Sequence, residues 1–370
     1  MNRLQTYYFI GNLLSSSFNA KHKESLIQEF KSPDFNWSLF IALGSNHLVL
    51  QIIYCKLLGN QLTEYLPAEV NSHLREIYDL NLDRNMEIIK QIKAINLLLN
   101  SHGIAPLYMK GAGNIIDSLY SDLPERLMHD IDILVPGEHL EPVITALLND
   151  GYRSFSEIKP EKLKTAKHYP PLSKTGNKVT LEVHRFPVGH QYTKIINTDE
   201  IWKERKQIDD YGTCYVMSDH HKIIHNFVHS QLMHHGHSYA RVHLRDLYDL
   251  LMLTYREDIG LCLKGLKGQR NKAFSYLGLM QKVFQKESTE RTKRNLFVRL
   301  YYFRYEINLR SRIFSLINFL IAIMFRSYII IPIRSLKDKE RRNSLPKKLF
   351  EKNWYKRHYR SLTRISKNKN

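Results

Sequence analysis

Apolar residues recur at intervals of three and four over most of the first hundred positions. The stretch 36–58 shows this spacing, and so does the stretch 82–104. The apolar stripe of the second stretch consists of Ile88, Ile89, Ile92, Ile95 and Leu98. This period is typical of helices that bury one face, and Gly103 then supplies a helix stop. No strand pattern interrupts residues 18–102, so the pattern predicts a helical N-terminal subdomain.

Between about residues 104 and 187 the period changes. The patterns predict strands at PLYM (106–109), HDIDILV (129–135) and KVTLEVHRF (178–186). A glycine-bounded turn, Gly111–Gly113, is predicted after the first strand, followed by a helix through Ile115, Ile116 and Leu119. A second helix is predicted within the segment EHLEPVITALLNDGY (138–152), with Gly151 as the residue that ends it. This alternation indicates a small α/β or α+β core, and helix patterns return from about residue 218.

Carboxylates are predicted to meet on one face of this sheet. Because strand side chains alternate between faces, the isoleucines of HDIDILV point into a core while Asp130 and Asp132 point the other way. On the later strand, Glu182 shares a face with Thr180 and His184. If the two strands are neighbours, three carboxylates converge. Without a cation these carboxylates would repel one another, but together they form a suitable site for Mg²⁺ or Mn²⁺. A bound ion would in turn attract the phosphate groups of a substrate. A solvent-exposed strand face is the plainer alternative.

The segment Lys110-Gly111-Ala112-Gly113 has features of a phosphate site. Glycines between a strand and a helix let phosphate approach the backbone, and the helix N-terminus offers N–H groups. Lys110 or Arg126 would add positive charge for a triphosphate. The alternatives are a salt-bridge or surface role for Lys110 and an ion pair between Arg126 and Asp130 or Asp132.

Composition places the chain among ordinary globular proteins. It has 370 residues, of which 43% are hydrophobic and 25% charged, enough for two or three domains. Cys55, Cys214 and Cys262 are far apart and lack CxxC spacing, which argues against a disulfide framework or a structural zinc site and fits a reducing compartment. The first 20 residues lack the continuous apolar run of a signal peptide.

The net charge of +19 is concentrated near the C-terminal end. Residues 334–370 contain 14 Lys and Arg but only three acidic residues. A basic tail favours polyanions such as an acidic membrane surface, anionic lipid-linked substrates or nucleic acid, with a solvated tail as the alternative. Nucleic acid is less favoured, because Trp354 and Tyr355 alone do not make a stacking platform.

An apolar run at 313–333 precedes this tail and has about the length of a bilayer span. Arg326 lies within it, which would cost roughly 2.5–3.5 kcal/mol at a bilayer centre, and Pro332 shortens the usable helix. Flanking Arg310, Arg312 and Arg334 suit a helix that rests on an anionic membrane surface. Such attachment is favoured over a buried core helix, and a true span is the least favoured of the three.

Eight of the 18 histidines fall between His220 and His243. His221, His225 and His229 recur every four residues and so share one helix face. Imidazoles at this spacing can bind zinc, but there is no HExxH motif and no cysteine nearby. Packing against the sheet, or contact with a nucleotide base, is favoured instead.

Four segments resemble the nucleotidyltransferase superfamily with the DNA polymerase β-type palm, and more narrowly its poorly characterised bacterial branch with a KG turn. They are GIAPLYMKGAG (103–113), LYSDLPERLMHDIDILV (119–135), LEVHR (181–185) and HSQLMHHGHSYARVHLRDLYDLL (229–251). The resemblance covers about residues 30–260. It implies an α+β fold, in which a palm with a small mixed sheet is flanked by N- and C-terminal helical regions. Together with the patterns described above, it predicts four domains: a helical subdomain (1–103), the palm (104–216), a helical subdomain over the site (217–300), and an apolar helix with the basic tail (301–370).

The resemblance implies transfer of an NMP group from an NTP to an acceptor hydroxyl, with release of pyrophosphate and two Mg²⁺ or Mn²⁺ ions. Asp130 and Asp132 would bind both ions, and Glu182 would bind one and activate the hydroxyl. The implied phosphate-binding residues are Lys110, Gly111, Ala112, Gly113 and Arg126. A second layer of side chains would consist of His184, His229 and Arg245, with Arg245 and Asp246 as a structural ion pair. This chain has Lys-Gly where the superfamily has Gly-Gly or Gly-Ser, and Glu as its third acid.

Two other functions stay open at this point. A glycosyltransferase would use Asp130 and Asp132 to hold a metal against a nucleotide-sugar, and an inactive palm would serve as a nucleotide-binding scaffold. The acceptor is open among protein, sugar, lipid-linked intermediate, antibiotic or other small molecule, and RNA. A cytoplasmic location is expected, with attachment to the inner face of the cell membrane through residues 313–370.

Overall fold

The structure is a computed structural model that describes residues 1–15, 20–156, 166–266, 268–286 and 295–336. The chain divides into two compact units, Met1–Arg310 and Ser311–Asn370. The first unit contains a seven-stranded mixed sheet with helices before and after it in the chain. This arrangement confirms the predicted α+β fold class.

The N-terminal region is helical, as its apolar period predicts. Its helices are Arg3–Leu14, Ala20–Lys31, Trp37–Asn46, Leu50–Gly59 and Ala68–Ser101. The last of these has 34 residues, and Ile88, Ile92 and Ile95 of its stripe are buried. The chain leaves this helix through Gly103, whose φ of +70° is a left-handed conformation that glycine adopts without strain.

The strands of the sheet are β1 (Leu107–Met109), β2 (Asp130–Leu134), β3 (Arg153–Ser154), β4 (Leu172–Ser173), β5 (Thr180–His184), β6 (Lys206–Ile208) and β7 (Cys214–Val216). Their order across the sheet is β3-β4-β5-β2-β1-β7-β6. Strands β2 and β5 pair in parallel at the centre, and β1 pairs antiparallel with β2. All three predicted strands are present, and the two that carry the carboxylates are neighbours.

The two faces of the sheet belong to different hydrophobic clusters. Tyr108, Ile131 and Ile133 pack into a cluster that includes the helix Ala68–Ser101. On the opposite face, Met109 and Leu134 belong to the cluster formed with the helical regions. Because strand residues alternate, Asp130 and Asp132 lie on the same face as Leu134. The carboxylates therefore lie between the sheet and the helices that follow it.

The remaining helices of the first unit mostly follow the sheet. They are Lys110–Ile116, Leu140–Asn149, Thr198–Lys203, Asp219–Phe227, Gly236–Tyr239, Leu244–Leu253, Ile259–Lys264, Arg270–Val283 and Leu296–Arg310, with a π-helical turn at Val228–Met233. One boundary differs from the prediction. The helix after β1 begins at Lys110, so Gly111 and Gly113 are helical residues and not a turn, and Leu119 lies beyond the helix end.

The second unit is described as the helix Arg312–Phe325, a π-helical turn at Arg326–Ile330 and the helix Ile331–Leu336. Among the described residues, Arg312–Ile333 is the one continuous helical stretch long and apolar enough to cross a membrane, with a mean hydropathy of 2.0. The bent pair Trp37–Asn46 and Leu50–Gly59 passes the same test only when it is counted as one span. The basic tail beyond residue 336, with Trp354 and Tyr355, lies outside the described residues.

Candidate active site

The site begins with the register between β2 and β5. Asp132 pairs with Glu182 across the two strands, and Asp130 pairs with Thr180. Parallel neighbours in register place their side chains on the same face, so the carboxyl groups of Asp132 and Glu182 project together. Asp132 is almost fully buried, whereas Asp130 and Glu182 are partly exposed. The cluster is therefore shielded from solvent at Asp132 and accessible to solvent at Asp130 and Glu182.

Lys110 supplies the first positive partner for this cluster. Its φ of +50° is unusual for a residue other than glycine and lies at the abrupt change from β1 to a helix. Its Nζ donates to Asp132 Oδ1 at 2.6 Å. Burial alone would lower the pKa of Lys110, but Asp132 and Asp130 outweigh it and hold that pKa above its ordinary value. The salt-bridge alternative for Lys110 is therefore the arrangement present here.

The glycines after Lys110 serve close packing. A Cβ atom on Gly113 would lie 2.5 Å from the carbonyl oxygen of Tyr108, and one on Gly111 would lie 2.9 Å from the Met128 side chain. Both separations are too short for real contacts, so only glycine lets this seven-residue helix pack directly against its strand. Both glycines are buried, as is Ala112. Their predicted contact with phosphate stays a prediction.

His184 completes the cluster from the end of β5. Its Nε2 lies 2.8 Å from Asp132 Oδ1 and 3.2 Å from Glu182 Oε2. Ionised carboxylates only accept hydrogen bonds, so Nε2 carries the proton and donates to both. The ring is fully buried, and its Nδ1 has no hydrogen-bond partner among the described residues. His184 therefore orients the two carboxylates that face each other across the strands.

The carboxylates differ in their affinity for protons. Burial raises the pKa of Asp132, but Lys110 and His184 outweigh it and hold that pKa well below its ordinary range. The hydrogen bond from His184 lowers the pKa of Glu182. Burial and the neighbouring Asp132 raise the pKa of Asp130. Asp132 and Glu182 are therefore ionised at neutral pH, and Asp130 holds its proton more strongly than an ordinary aspartate.

A cavity of about 180 Å³ opens beside this cluster. Asp130 and Lys110 lie in its wall, together with further cations and with polar groups of the helices that follow the sheet. The basic residues that line it are Lys110, Arg126, Lys222 and Arg245. Asp130, Asp246 and Asp249 line it as well. A cavity with several cations, and with the carboxylate of Asp130 at one side, suits a phosphate-bearing ligand held next to a divalent ion.

The predicted histidine face lines part of the same cavity. His225 and His229 stack with ring centroids 5.7 Å apart, and His225 Nε2 donates to the carbonyl oxygen of Pro187 at 3.0 Å. Burial, and then the charge of Lys110, lower the pKa of His225 to about 3, so this ring is neutral at physiological pH. Among the described residues, the one group of three potential metal ligands is Asp132, Glu182 and His184. The structure thus gives no support to zinc at the histidine face.

Arg126 takes a partner that the sequence did not indicate. Its Nε lies 3.1 Å from Asp249 Oδ2 on the helix Leu244–Leu253, and both side chains are buried. The ion pair with Asp130 or Asp132, held open above, is not formed. The predicted pair between Arg245 and Asp246 is present at 3.3 Å. Arg126 and Asp249 therefore connect the strand segment to the helix that covers it.

Sequence reasoning missed three groups of this region. Lys167 lies near the carboxylate cluster, and burial with the charge of Lys110 lowers its pKa to about 8. Lys222 lines the cavity and pairs with Asp117, and Asp249 pairs with Arg126. The spacing of Asp219 and Lys222, three apart on one helix, was a usable signal. Lys167 and Asp249 carry no local signal, because their partners are distant in sequence.

The donor set fits a divalent cation. Ligand atoms of Asp132, Glu182 and His184 all lie within 4.8 Å of one another, and Asp130 adds a carboxylate on the same strand face. Carboxylate oxygens suit Mg²⁺ and Mn²⁺. Since His184 Nε2 already donates to two carboxylates, the oxygens of Asp130, Asp132 and Glu182 are the groups that would hold an ion. Three carboxylates outnumber Lys110 and the nearby Lys167, which leaves negative charge that a cation would balance.

Comparison with known protein families identifies the family to which this chain belongs. Residues 33–262 match a protein family described as uncharacterised nucleotidyltransferase. The matched region contains the whole sheet, the helix Ala68–Ser101 and the helices that line the cavity. A search of curated proteins gives no match.

Proposed function

We propose that this chain, which belongs to the family of uncharacterised nucleotidyltransferases, moves a nucleotidyl group from an NTP to an acceptor hydroxyl with the aid of a divalent ion. That the protein is a transferase of phosphorus-containing groups follows from the family itself. The observation that carries the finer proposal is the register that sets Asp132 against Glu182, with Lys110 and His184 on the same carboxylate. Of these residues Lys110 lines a cavity rich in cations, and Asp130, on the same strand as Asp132, lines it too.

In the proposed reaction, the acceptor oxygen bonds to the α-phosphorus of the NTP. The bond from that phosphorus to the bridging oxygen of the β-phosphate breaks, and pyrophosphate leaves with the electron pair. The hydroxyl proton passes to a carboxylate, for which Glu182 is the best placed because it is ionised and partly open to solvent. A divalent ion on the carboxylates would lower the pKa of the hydroxyl and neutralise developing charge.

The cations of the cavity have a separate task in this proposal. An NTP brings several negative charges, which Lys222 and Arg245 in the cavity wall would offset. Lys110 has two roles available to it, because its Nζ holds Asp132 while the residue also lines the cavity. The neutral rings of His225 and His229 offer a flat surface for a base without adding charge.

The test is label transfer from each α-³²P-labelled NTP in turn, with Mg²⁺ or Mn²⁺ and desalted cell extract as the source of acceptors. Asp132→Asn and Glu182→Gln keep side-chain shape while removing one negative charge each. Asp150→Asn is the matched control, since Asp150 is exposed and its ion-pair partner in the described part of the chain is the surface residue Lys174. We expect wild type and control to transfer label in a metal-dependent way, and both site variants to lose about 100-fold or more.

Two results would contradict the proposal. Metal-dependent NTP binding with no transfer by any variant would favour the scaffold function. Transfer that survives in Asp132→Asn, with folding confirmed by circular dichroism, would remove the carboxylate cluster from the chemistry. A glycosyltransferase would instead transfer label from a nucleotide-sugar labelled in the sugar, and the same variants test it.

A further inference from the structure

Two consecutive helices expose large apolar side chains. On Leu296–Arg310, one face is buried through Val298, Tyr301, Tyr305 and Leu309. The opposite face presents Leu296, Phe297, Leu300 and Phe303, all of which are more than half exposed. Burial of such side chains stabilises a fold by about 1.5–3 kcal/mol each, so a cluster left in water marks an interaction surface.

The helix Arg312–Phe325 in the second unit has its own exposed apolar stripe. The stripe consists of Ile313, Phe314, Ile317, Ile321, Met324 and Phe325, and Tyr328 follows in the π-helical turn. These positions recur at three and four and so share one face, whereas Ser315, Asn318 and Ala322 lie elsewhere on the helix. We call these residues the C-terminal stripe.

Positive charge accompanies both surfaces. Residues 296–336 contain six arginines and a single acid, Glu306, and residues 337–370 add 13 Lys and Arg against three acids. In the first unit, a groove of about 840 Å³ brings Arg270 and Lys272 beside Phe297 and Leu300. Apolar side chains bordered by cations are complementary to one kind of surface in particular, a bilayer whose headgroups are anionic.

We infer that the helical stretch Arg312–Ile333 of the second unit binds the surface of an anionic lipid bilayer, with the C-terminal stripe lying in the plane of the interface. The apolar side chains of the stripe would enter the boundary between headgroups and acyl chains, while Arg312 and Arg326 meet lipid phosphates. A second copy of the chain is the other candidate for covering these faces. It is disfavoured because two such surfaces would bring together two sets of arginines with almost no acids to pair them.

An interfacial position also explains the charges better than a membrane span. This step rests on the proposed function, because an NTP-using unit must face the compartment that holds NTP. Lys and Arg near the end of a span stay on the cytoplasmic side, which applies to residues 334–370. A single span at 313–333 would separate that segment from the first unit and place the two on opposite sides. A helix lying in the interface keeps both on one side.

The test is flotation of the full-length protein with vesicles of phosphatidylcholine alone or with about a quarter phosphatidylglycerol. We expect binding to the anionic vesicles only, weakened by salt. Ile321→Asp introduces a charge into the C-terminal stripe and should weaken binding about tenfold or more. Ala322→Asp adds the same charge at the next residue, which lies outside the C-terminal stripe. It is therefore the matched control and should weaken binding about threefold at most.

Each other outcome overturns the inference. Binding that is equal for both vesicle types, or equal for the two variants, would remove the charge or the stripe from the interaction. Protein in native membranes that resists alkaline carbonate would indicate a span. A stable dimer that does not float would assign the faces to a second copy. Label transfer measured on the same preparations separates the proposals: an active protein that does not float refutes membrane binding alone, and an inactive protein that floats refutes the nucleotidyltransferase function alone.

Discussion

Two buried ion pairs lie within the same unit and differ in their surroundings. Lys110 Nζ approaches Asp132 at 2.6 Å, and Arg126 Nε approaches Asp249 at 3.1 Å. Both carboxylates are almost fully buried, and both cations come from segments next to β1 or β2. Neither burial nor pairing distinguishes a catalytic carboxylate from a structural one.

The surroundings make the distinction. Asp132 has two further carboxylates on its face of the sheet, Asp130 and Glu182, so negative charge is in excess. Asp249 has Arg126, the Tyr120 hydroxyl donating at 2.7 Å, and Arg245 close by, so its charge is matched. Unmatched carboxylates next to a cavity are costly unless a cation binds them. Asp249 also lines that cavity, but its charge is matched and needs no ligand. The excess of negative charge around Asp132 therefore favours that residue for the proposed chemistry, and the matched charge of Asp249 favours a structural role.

The largest effect is expected at the structural pair. Arg126→Met removes the charged partner of Asp249 and leaves that carboxylate buried and unpaired, so the free energy of unfolding should fall by about 3–5 kcal/mol. Urea unfolding followed by circular dichroism measures it. The double variant Arg126→Met with Asp249→Leu removes both charges and should recover most of the loss. A loss below about 1 kcal/mol in the single variant would mean that the pair is not enclosed.

A smaller effect is expected at the ion pair between Lys110 and Asp132. Removing this lysine should strengthen the binding of a metal ion, whereas removing Arg126 should weaken the fold. Lys110 Nζ competes with any cation for Asp132, so Lys110→Met should tighten Mn²⁺ binding by about tenfold. Titration calorimetry or the electron paramagnetic resonance signal of free Mn²⁺ measures the affinity. Lys174→Met is the matched control, because Lys174 pairs with exposed Asp150. Unchanged or weaker Mn²⁺ binding in Lys110→Met would show that the carboxylates do not hold the ion.

The last prediction concerns the pH dependence of stability and a histidine in the cavity wall. The pKa of His225 falls to about 3 in the folded protein, from an ordinary value near 6.5. Below pH 6.5 the unfolded chain takes up a proton there that the folded chain does not. This histidine therefore lowers the free energy of unfolding as pH falls from 6.5 towards 3, by at most about 1.4 kcal/mol per pH unit. Above pH 6.5 it has no such effect.

Urea unfolding at pH 7.5 and pH 5.0 checks this expectation, with His225→Asn as the variant that lacks the titrating group. The wild type should lose more stability between the two values than the variant. Because Lys110 is one cause of the low pKa, Lys110→Met should raise the pKa of His225 in an NMR titration. Equal pH slopes for wild type and His225→Asn would contradict the assignment.

Local patterns alone determined much of this protein. The 3.6-residue period placed the N-terminal helices. The two-residue period placed Asp130 with Asp132 on one face of their strand, and Glu182 with His184 on one face of theirs. Those inferences hold because helix and strand geometry act over a few neighbouring residues. The family resemblance pointed to the same carboxylates, and the match over residues 33–262 supports the family.

Only the tertiary structure decided which groups meet. Asp132 lies opposite Glu182 and pairs with Lys110. Arg126 pairs with Asp249, and Lys167 lies near the carboxylate cluster. The tertiary structure also turned the predicted glycine bend into the first turn of a helix, because Gly113 packs on the Tyr108 carbonyl. Partners such as Arg126 and Asp249 are separated by more than a hundred residues. No local period carries that information, since ion pairs depend on where distant segments come to rest.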